Sequence, residues 1–277
     1  MKKLNLITTL LALLIVLMGC KKEATPTAPA PCSIVYSAWS CCSNNLLTRT
    51  YSLSSTNCTD IPPVDSLQRD CVMPKEVTIG SQVWTATNLD VSTYRNGDSI
   101  PQVQSQYYWG NLTTGAWCYY ENKTANGTTY GKLYNWFAVN DPRGLAPNGY
   151  HIPTGPEWDI LRAYLGGWDA GKKIKSTTGW RKGMTLGNQP YYLDGNGSNS
   201  SCFAALPGGY RWSNGDYPDT NFHHDAIGNG TTWWTSTPYY SLQGLHALAI
   251  LISYDGSAIA SAYEPKLNGC YVRCIKD

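Results

Sequence analysis

The sequence is short of charge. Charged residues make up 14% of its 277 positions, against about a quarter in an average globular protein, so hydration of the surface falls to Asn, Ser, Thr, Gly and Tyr. It is also short of imbalance between the signs. The 21 basic residues face 19 acidic ones, and removal of a leader containing Lys2 and Lys3 would leave 19 against 19. A chain with no net charge and no dense basic patch lacks the electrostatic footprint that nucleic acid requires. Phe is scarce, with 3 residues beside 20 Tyr and 11 Trp. Tyr and Trp combine an apolar body with a polar tip, which suits a loop-rich core and also suits surfaces that touch sugar or protein. Three motifs are missing as well: a C-x-x-C pair, a Cys/His set at zinc spacing and a Gly-x-Ser-x-Gly elbow. Dithiol redox, zinc and nucleophile-elbow chemistry therefore have no motif to stand on.

What is present first is a leader. Lys2 and Lys3 precede an apolar run, Leu4 to Leu17, broken only by Asn5 and two Thr. That run is too short for a comfortable membrane span and reads as a signal peptide over residues 1–19. It ends in Leu17-Met18-Gly19-Cys20, which resembles the lipobox of bacterial lipoproteins, where the cysteine thiol carries diacylglycerol. Lipid on Cys20 predicts stable anchoring, since each buried methylene contributes about 0.8 kcal/mol. Residues 20–31 continue as KKEATPTAPAP after the cysteine, a polar, Pro-rich stretch that reads as a stiff tether. Lys21 stands where retention signals use Asp, so the expected location is the cell envelope, on the outer membrane, with the choice between its periplasmic and surface faces left open by the sequence. Ten cysteines in an exported chain favour disulfides. With Cys20 lipidated nine remain, so one thiol is left over.

Residues 32–73 are dense in Cys and poor in aliphatic side chains, so staples must substitute for a core. Trp39-Ser40-Cys41-Cys42-Ser43, Thr48-Arg49-Thr50, Cys58, Arg69 and Cys71 together resemble a thrombospondin type 1 repeat. The resemblance implies a stacked ladder of Tyr36, Trp39, Arg49 and Arg69, held by cation–π attraction, and an interaction role; a stapled spacer is the plainer reading. Cys41 has no counterpart in the repeat and is the choice for the odd thiol. Pairings among Cys32, Cys42, Cys58 and Cys71 cannot be read from spacing.

After Met73-Pro74, residues 75–277 read as an α+β domain. Val77/Ile79 and Val83/Trp84 flank Gly80-Ser81 as a hairpin. GKLYNWFAV, residues 131–139, places Leu133, Trp136 and Phe137 on one helical face. Thr154-Gly-Pro-Glu157 is a capping box opening a helix that buries Trp158, Leu161 and Leu165, with Gly166-Gly167 ending it. Ala247–Ile252 and Cys270–Ile275 read as late strands. About two helices and one small twisted sheet are predicted.

The ordered segments VTIGSQVWTATNLD, YGKLYNWFAV, GLAPNGYHIPTGPEWDIL, ALPGGYRW, WWTSTPY and GCYVRCIKD resemble the Fibrobacter succinogenes major paralogous domain, over nearly all of residues 75–277. HIPTGPEW, LPGGYRW and YVRC are similar, more distantly, to segments of the formylglycine-generating enzymes, which implies an irregular C-type-lectin-like fold. Cys118 and Cys274 stand at family-typical positions, which implies that they pair. Cys202 and Cys270 replace residues usual in the family, which suggests that they pair with each other. Each bridge would be worth about 4 kcal/mol in the chain-entropy model.

The resemblance to the formylglycine-generating enzymes implies copper-binding thiols before the final strand, but TSTPYYSLQGLHALAI has none. A catalytic role is therefore not expected, and no cofactor is. His223-His224, His246 and His151 sit in no catalytic context. Asp194-Gly-Asn196-Gly-Ser198-Asn199 spaces oxygens like a shortened calcium loop but lacks the terminal Glu. Glu264-Pro265-Lys266 has Lys where a lectin would use Asn. The expected function is binding, of a glycan first and of a protein second, with an enzyme on cell-surface substrates or an envelope spacer as rivals. Trp109, Trp117, Trp168, Trp180, Trp212 and Tyr239 are the candidates for an exposed ligand surface.

Overall fold

The computed structural model describes residues 34–36, 46–48, 51–53, 68–70, 75–186, 189–219, 226–240 and 242–277. The leader, Cys20 and its tether, Cys32, Trp39, Cys41, Cys42, Arg49, Cys58, Cys71 and the pair His223-His224 lie outside the described residues. Among the described residues before residue 75 there are four three-residue strands in two antiparallel pairs. Ile34–Tyr36 pairs with Tyr51–Leu53, and Leu46–Thr48 pairs with Gln68–Asp70. Tyr36 and Arg69 of the expected ladder are thus strand residues.

From residue 75 the chain is α+β, as expected. The hairpin forms from Glu76–Ile79 and Gln82–Thr85, with Gly80 at φ 63°, a conformation that costs glycine nothing for want of a Cβ. Ile275–Lys276 lies antiparallel to Gln82–Thr85 on one side and to Tyr150–His151 on the other, giving a four-stranded sheet. The end of the domain is thereby built into the sheet with which it begins. A second, three-stranded meander runs Gly230–Pro238, His246–Ser253, Ala260–Pro265.

Trp233 and Trp234 are both fully buried. Successive strand side chains point to opposite faces, so each enters a different apolar cluster. Trp233 joins Trp84, Trp158 and Phe203, with ring centroids 4.8 Å (Trp84–Trp158) to 5.9 Å (Phe203–Trp233) apart. Trp234 joins Trp136, Val272, Cys270 and Cys274. The strand carries a core on each side, which explains why its first six residues are all buried.

The helix Gly155–Tyr164 opens as the capping box predicts. Thr154 Oγ1 accepts from the Glu157 N–H at 3.3 Å, and a Glu157 carboxylate oxygen accepts from the Thr154 N–H at 2.7 Å. Trp158 and Leu161 are its buried face, and Gly166 follows in the left-handed region. Elsewhere the sequence reading needs correction. Residues 131–139 are not one helix. They split into a strand, Leu133–Tyr134, and a short helix, Trp136–Val139. Asn135 divides them: its Oδ1 accepts from the N–H groups of Ala116 and Ala138 at 3.0 and 3.1 Å, and its Nδ2 donates to Thr114 O. A fully committed side chain favours the cap position over a helix interior. Five α-helices, rather than about two, occur among the described residues, four of them with seven residues or fewer. Of the expected late strand, Cys270 and Tyr271 make only single bridges, to Tyr134 and Trp233. Among the described residues no helix is long and apolar enough to cross a membrane.

Both expected disulfides of the domain are also corrected. Cys118, Cys270 and Cys274 are buried and take part in no disulfide. Cys118 belongs to the first cluster, where the Tyr217 hydroxyl lies 3.7 Å from its Sγ, whereas Cys274 belongs to the second. The implied Cys118–Cys274 bridge is therefore not formed. Cys202 is disulfide-bonded, but Cys270 is in no disulfide and so is not its partner. Burial pushes the Cys118 thiol up and the Cys274 thiol to about 12, so neither is a nucleophile at neutral pH. Alkylation in denaturant without reductant is expected to label Cys118, Cys270 and Cys274 and to spare Cys202, read by peptide mass mapping. Labelling of Cys118 only after reduction would contradict this arrangement.

A second expectation concerns pH. His151 bridges Glu157 Oε1 and Asp277 Oδ1, each at 2.8 Å. Partial burial of the ring opposes its charge, but the two carboxylates outweigh it, and its pKa is raised. A raised folded-state pKa adds stability below the ordinary histidine value, and that stability is lost as pH climbs through the folded value. The urea midpoint should therefore fall on going from about pH 6 to about pH 8. His151→Gln should flatten that slope; an unaltered slope would remove His151 as its source.

Candidate functional site

The six aromatic side chains expected at a ligand surface do not form one. Trp109, Trp117 and Trp180 are core residues, and each indole N–H is committed. Trp109 donates to Leu267 O, Trp117 to Ile100 O, and Trp180 to Ser176 Oγ and Ala205 O. The reason is volume: a chain rich in Gly and Asn has little else to fill its interior, and backbone carbonyls satisfy the polar tips. Trp212 is half-buried, with its indole N–H on the Tyr210 hydroxyl. Trp168 is 80% exposed. Tyr239 stacks on Tyr263 with centroids 3.8 Å apart, beside the exposed Tyr240 in sequence. None of the six lines the cavity described next.

That cavity is a cleft of about 400 Å³. Five pieces of chain form its walls: residues 86–90 just after the hairpin, Gly127–Gly131 at the end of the helix Thr124–Tyr130, Ser176–Thr178 after the helix Ala170–Ile174, the stretch from Asn199 to Leu206, and Arg273 before the final strand. Asn88 organises one wall. Its Nδ2 donates to Tyr130 O at 2.8 Å, while its Oδ1 accepts from Trp233 Nε1 at 2.9 Å and from Arg273 Nε at 3.3 Å. The cleft wall is thereby tied to the aromatic core beneath it.

Arg273 is 2% exposed. Its Nη1 donates to Thr85 O and Phe203 O at 2.9 and 2.8 Å, and the guanidinium lies 4.2 Å from the Phe203 ring centre. Burial drops its pKa to about 9. The other charges of the region are matched. Asp90 accepts from Lys132 Nζ at 2.6 Å, and that ammonium also sits 4.5 Å from the Trp117 ring centre. Among the described residues, Thr87, Thr177 and Thr178 have uncommitted hydroxyls, and the cleft lining contains no Cys and no His. The cleft therefore offers neutral hydrogen-bonding groups, one tyrosine, the Asp90 carboxylate already paired with Lys132, and one buried cation.

The remaining sequence hints are absorbed by structure. Asp194 Oδ1 accepts from the Asn196 N–H, Asn196 Oδ1 from the Trp180 N–H, and Lys182 sits 3.4 Å from Asp194. This is turn chemistry. Glu264 accepts from Asn268 Nδ2. Among the described residues no group of three or more His, Cys, Asp or Glu side chains could hold a metal ion.

The motifs that build these walls, TNLD before the cleft and YVRC behind it, are family motifs. The family model described as the Fibrobacter succinogenes major domain matches residues 77–276. The chain belongs to that family. No curated protein and no solved structure matches it. Seen as a major domain, the chain carries its cleft on residues that sequence reasoning quoted but assigned no role: Asn88, Tyr130 and Arg273. One signal was available. Arg273 is a lone cation between Val272 and Cys274, in a run that reads as buried, and a buried cation needs a reason.

Proposed function

We propose that this major domain is a non-catalytic binding module with a C-type-lectin-like fold, displayed on the outer membrane by lipid on Cys20, and that it takes a saccharide in the cleft beside Asn88, Tyr130 and Arg273. The single observation behind the ligand reading is the lining. The volume, about 400 Å³, is within the range of small-ligand sites. Its uncommitted groups are hydroxyls that can both donate and accept, which is what a polyol asks of a site. Tyr130 belongs to the same wall, and aromatic faces pack on the apolar faces of sugars. Short helices and small antiparallel sheets support the lectin-like reading of the fold. The leader and Cys20 support the anchor.

The detergent-solubilised full chain, applied to a glycan array, should retain a defined subset of saccharides, and Thr178→Val should weaken that retention. Flat signal across bacterial, plant and host glycans would overturn the reading. For the anchor, palmitate labelling should mark the wild type and not Cys20→Ala.

Protein adhesion is the second reading. Tyr240, Tyr263 and Leu245 are all exposed, and Tyr239 is stacked on Tyr263, an arrangement of apolar surface of the kind that partners cover. Retention of glycans that is unaltered by Tyr263→Ser would leave that surface to a protein ligand.

A further inference from the structure

Arg273 is the one feature of the cleft that a neutral sugar does not explain. Its partners are all uncharged: Asn88 Oδ1, Thr85 O and Phe203 O. Among the described residues no carboxylate reaches it, and its Nη2 has no acceptor. The residue is 2% exposed and forms part of the cleft lining. A desolvated guanidinium without a counter-charge is costly, and its lowered pKa, about 9, reflects that cost. The neighbouring cation, Lys132, is by contrast neutralised by Asp90 within the chain. Asp90 is already claimed, so it does not serve Arg273 as well.

We propose that the counter-charge arrives with the ligand: the cleft takes an acidic saccharide of the uronic acid class, whose carboxylate is met by Arg273 Nη2 and whose hydroxyls are met by Thr87, Thr177 and Thr178. This inference rests on the saccharide reading of the cleft and narrows it. The physical basis is that hydrogen bonds between a guanidinium and a carboxylate are about twice as strong as neutral ones. Their electrostatic part is larger where water is displaced. The carboxylate relieves a charge that the fold has buried in advance. Specificity then follows from a difference. A neutral sugar of the same shape would leave the cation unpaired, so its binding would forgo that gain.

The test compares trigalacturonic acid with its methyl ester and with galactotriose, titrated calorimetrically into the detergent-solubilised full chain. The acid is expected to bind at least about tenfold more tightly than the ester, a difference of about 1.4 kcal/mol. Hydrogen exchange should show protection by the acid in peptides spanning residues 86–90 and 127–131. Arg273→Gln should erase the acid–ester ratio. Because that side chain is buried and the variant can misfold, Thr177→Val/Thr178→Val serves as the second arm: both ligands should weaken while their ratio persists. Equal binding of acid and ester would overturn the acidic class and leave the saccharide reading standing. Failure of all three sugars to bind would overturn both. Tight binding of sodium acetate alone would identify a simple anion site and overturn the saccharide. Protection confined to peptides away from 86–90 and 127–131 would also overturn the proposal.

Discussion

Arg211→Met is expected to lower the free energy of unfolding by about 3–5 kcal/mol, measured by urea denaturation at neutral pH. Arg211 is wholly buried in the segment Leu206-Pro207-Gly208-Gly209-Tyr210-Arg211-Trp212. Its Nε donates to Gly215 O at 2.9 Å, Nη1 to Val103 O at 2.8 Å and Nη2 to Gln104 O at 2.9 Å. The guanidinium also lies 4.5 Å from the Trp109 ring centre. One side chain thereby holds residues 103–104, which share no sheet with it, against its own turn. Methionine keeps the stem and removes every donor, so three carbonyls lose a partner. Each one left buried costs about 1–3 kcal/mol, less where water can enter. Arg211→Lys should recover less than half of the loss, because an ammonium cannot present the planar fork. A fall below about 1 kcal/mol for Arg211→Met would show that the two loops hold together without it.

Trp233→Ala is expected to cost a similar amount, about 3–5 kcal/mol. Its ring contacts Trp158 and Phe203 at centroid distances of 5.6 and 5.9 Å, and its indole N–H holds Asn88 Oδ1. The substitution opens a cavity in the first cluster and releases one restraint on the cleft wall. Stability and ligand affinity should therefore fall together. Trp158→Phe offers the contrast. It lies in the same cluster, but the Trp158 indole N–H has no hydrogen-bond partner, so the change loses volume without orphaning an acceptor and should cost about 1–2 kcal/mol. Equal losses for Trp158→Phe and Trp233→Ala would mean that the Asn88 link and the larger cavity contribute nothing measurable.

Local signals in this sequence were read where one side chain or one turn decides the outcome. The capping box at Thr154 and Glu157 opens a helix because both bonds form within four residues. Gly80-Ser81 turns a hairpin because the two flanking runs alternate with period two. Where a residue answers to distant partners, local pattern misled. Helical spacing in residues 131–139 is real, yet Asn135 satisfies Thr114 O and the Ala116 N–H, some 20 residues back, and the helix is confined to its last four positions. Family-typical cysteine positions implied a Cys118–Cys274 pairing, yet neither residue is in a disulfide and each sits in a different apolar cluster.

The aromatic residues show the same division. Composition alone established that Trp and Tyr must fill much of this interior, since Phe is nearly absent. It could not rank them. Trp168 and Trp180 both follow glycine, yet Trp168 is 80% exposed and Trp180 is 3% exposed. The difference arises because Trp180 meets Ala205 O and Ser176 Oγ across a loop closure. By itself the sequence determined the family, the α+β class, the hairpin, the capped helix and the scarcity of charge. Tertiary structure alone decided which cations are neutralised within the chain, as Lys132 is by Asp90, and that among the described residues Arg273 is buried in the cleft wall without an acidic partner. The physical reason is that pairing of charges is set by distances of a few ångströms between residues far apart in the chain, and no local periodicity encodes those distances.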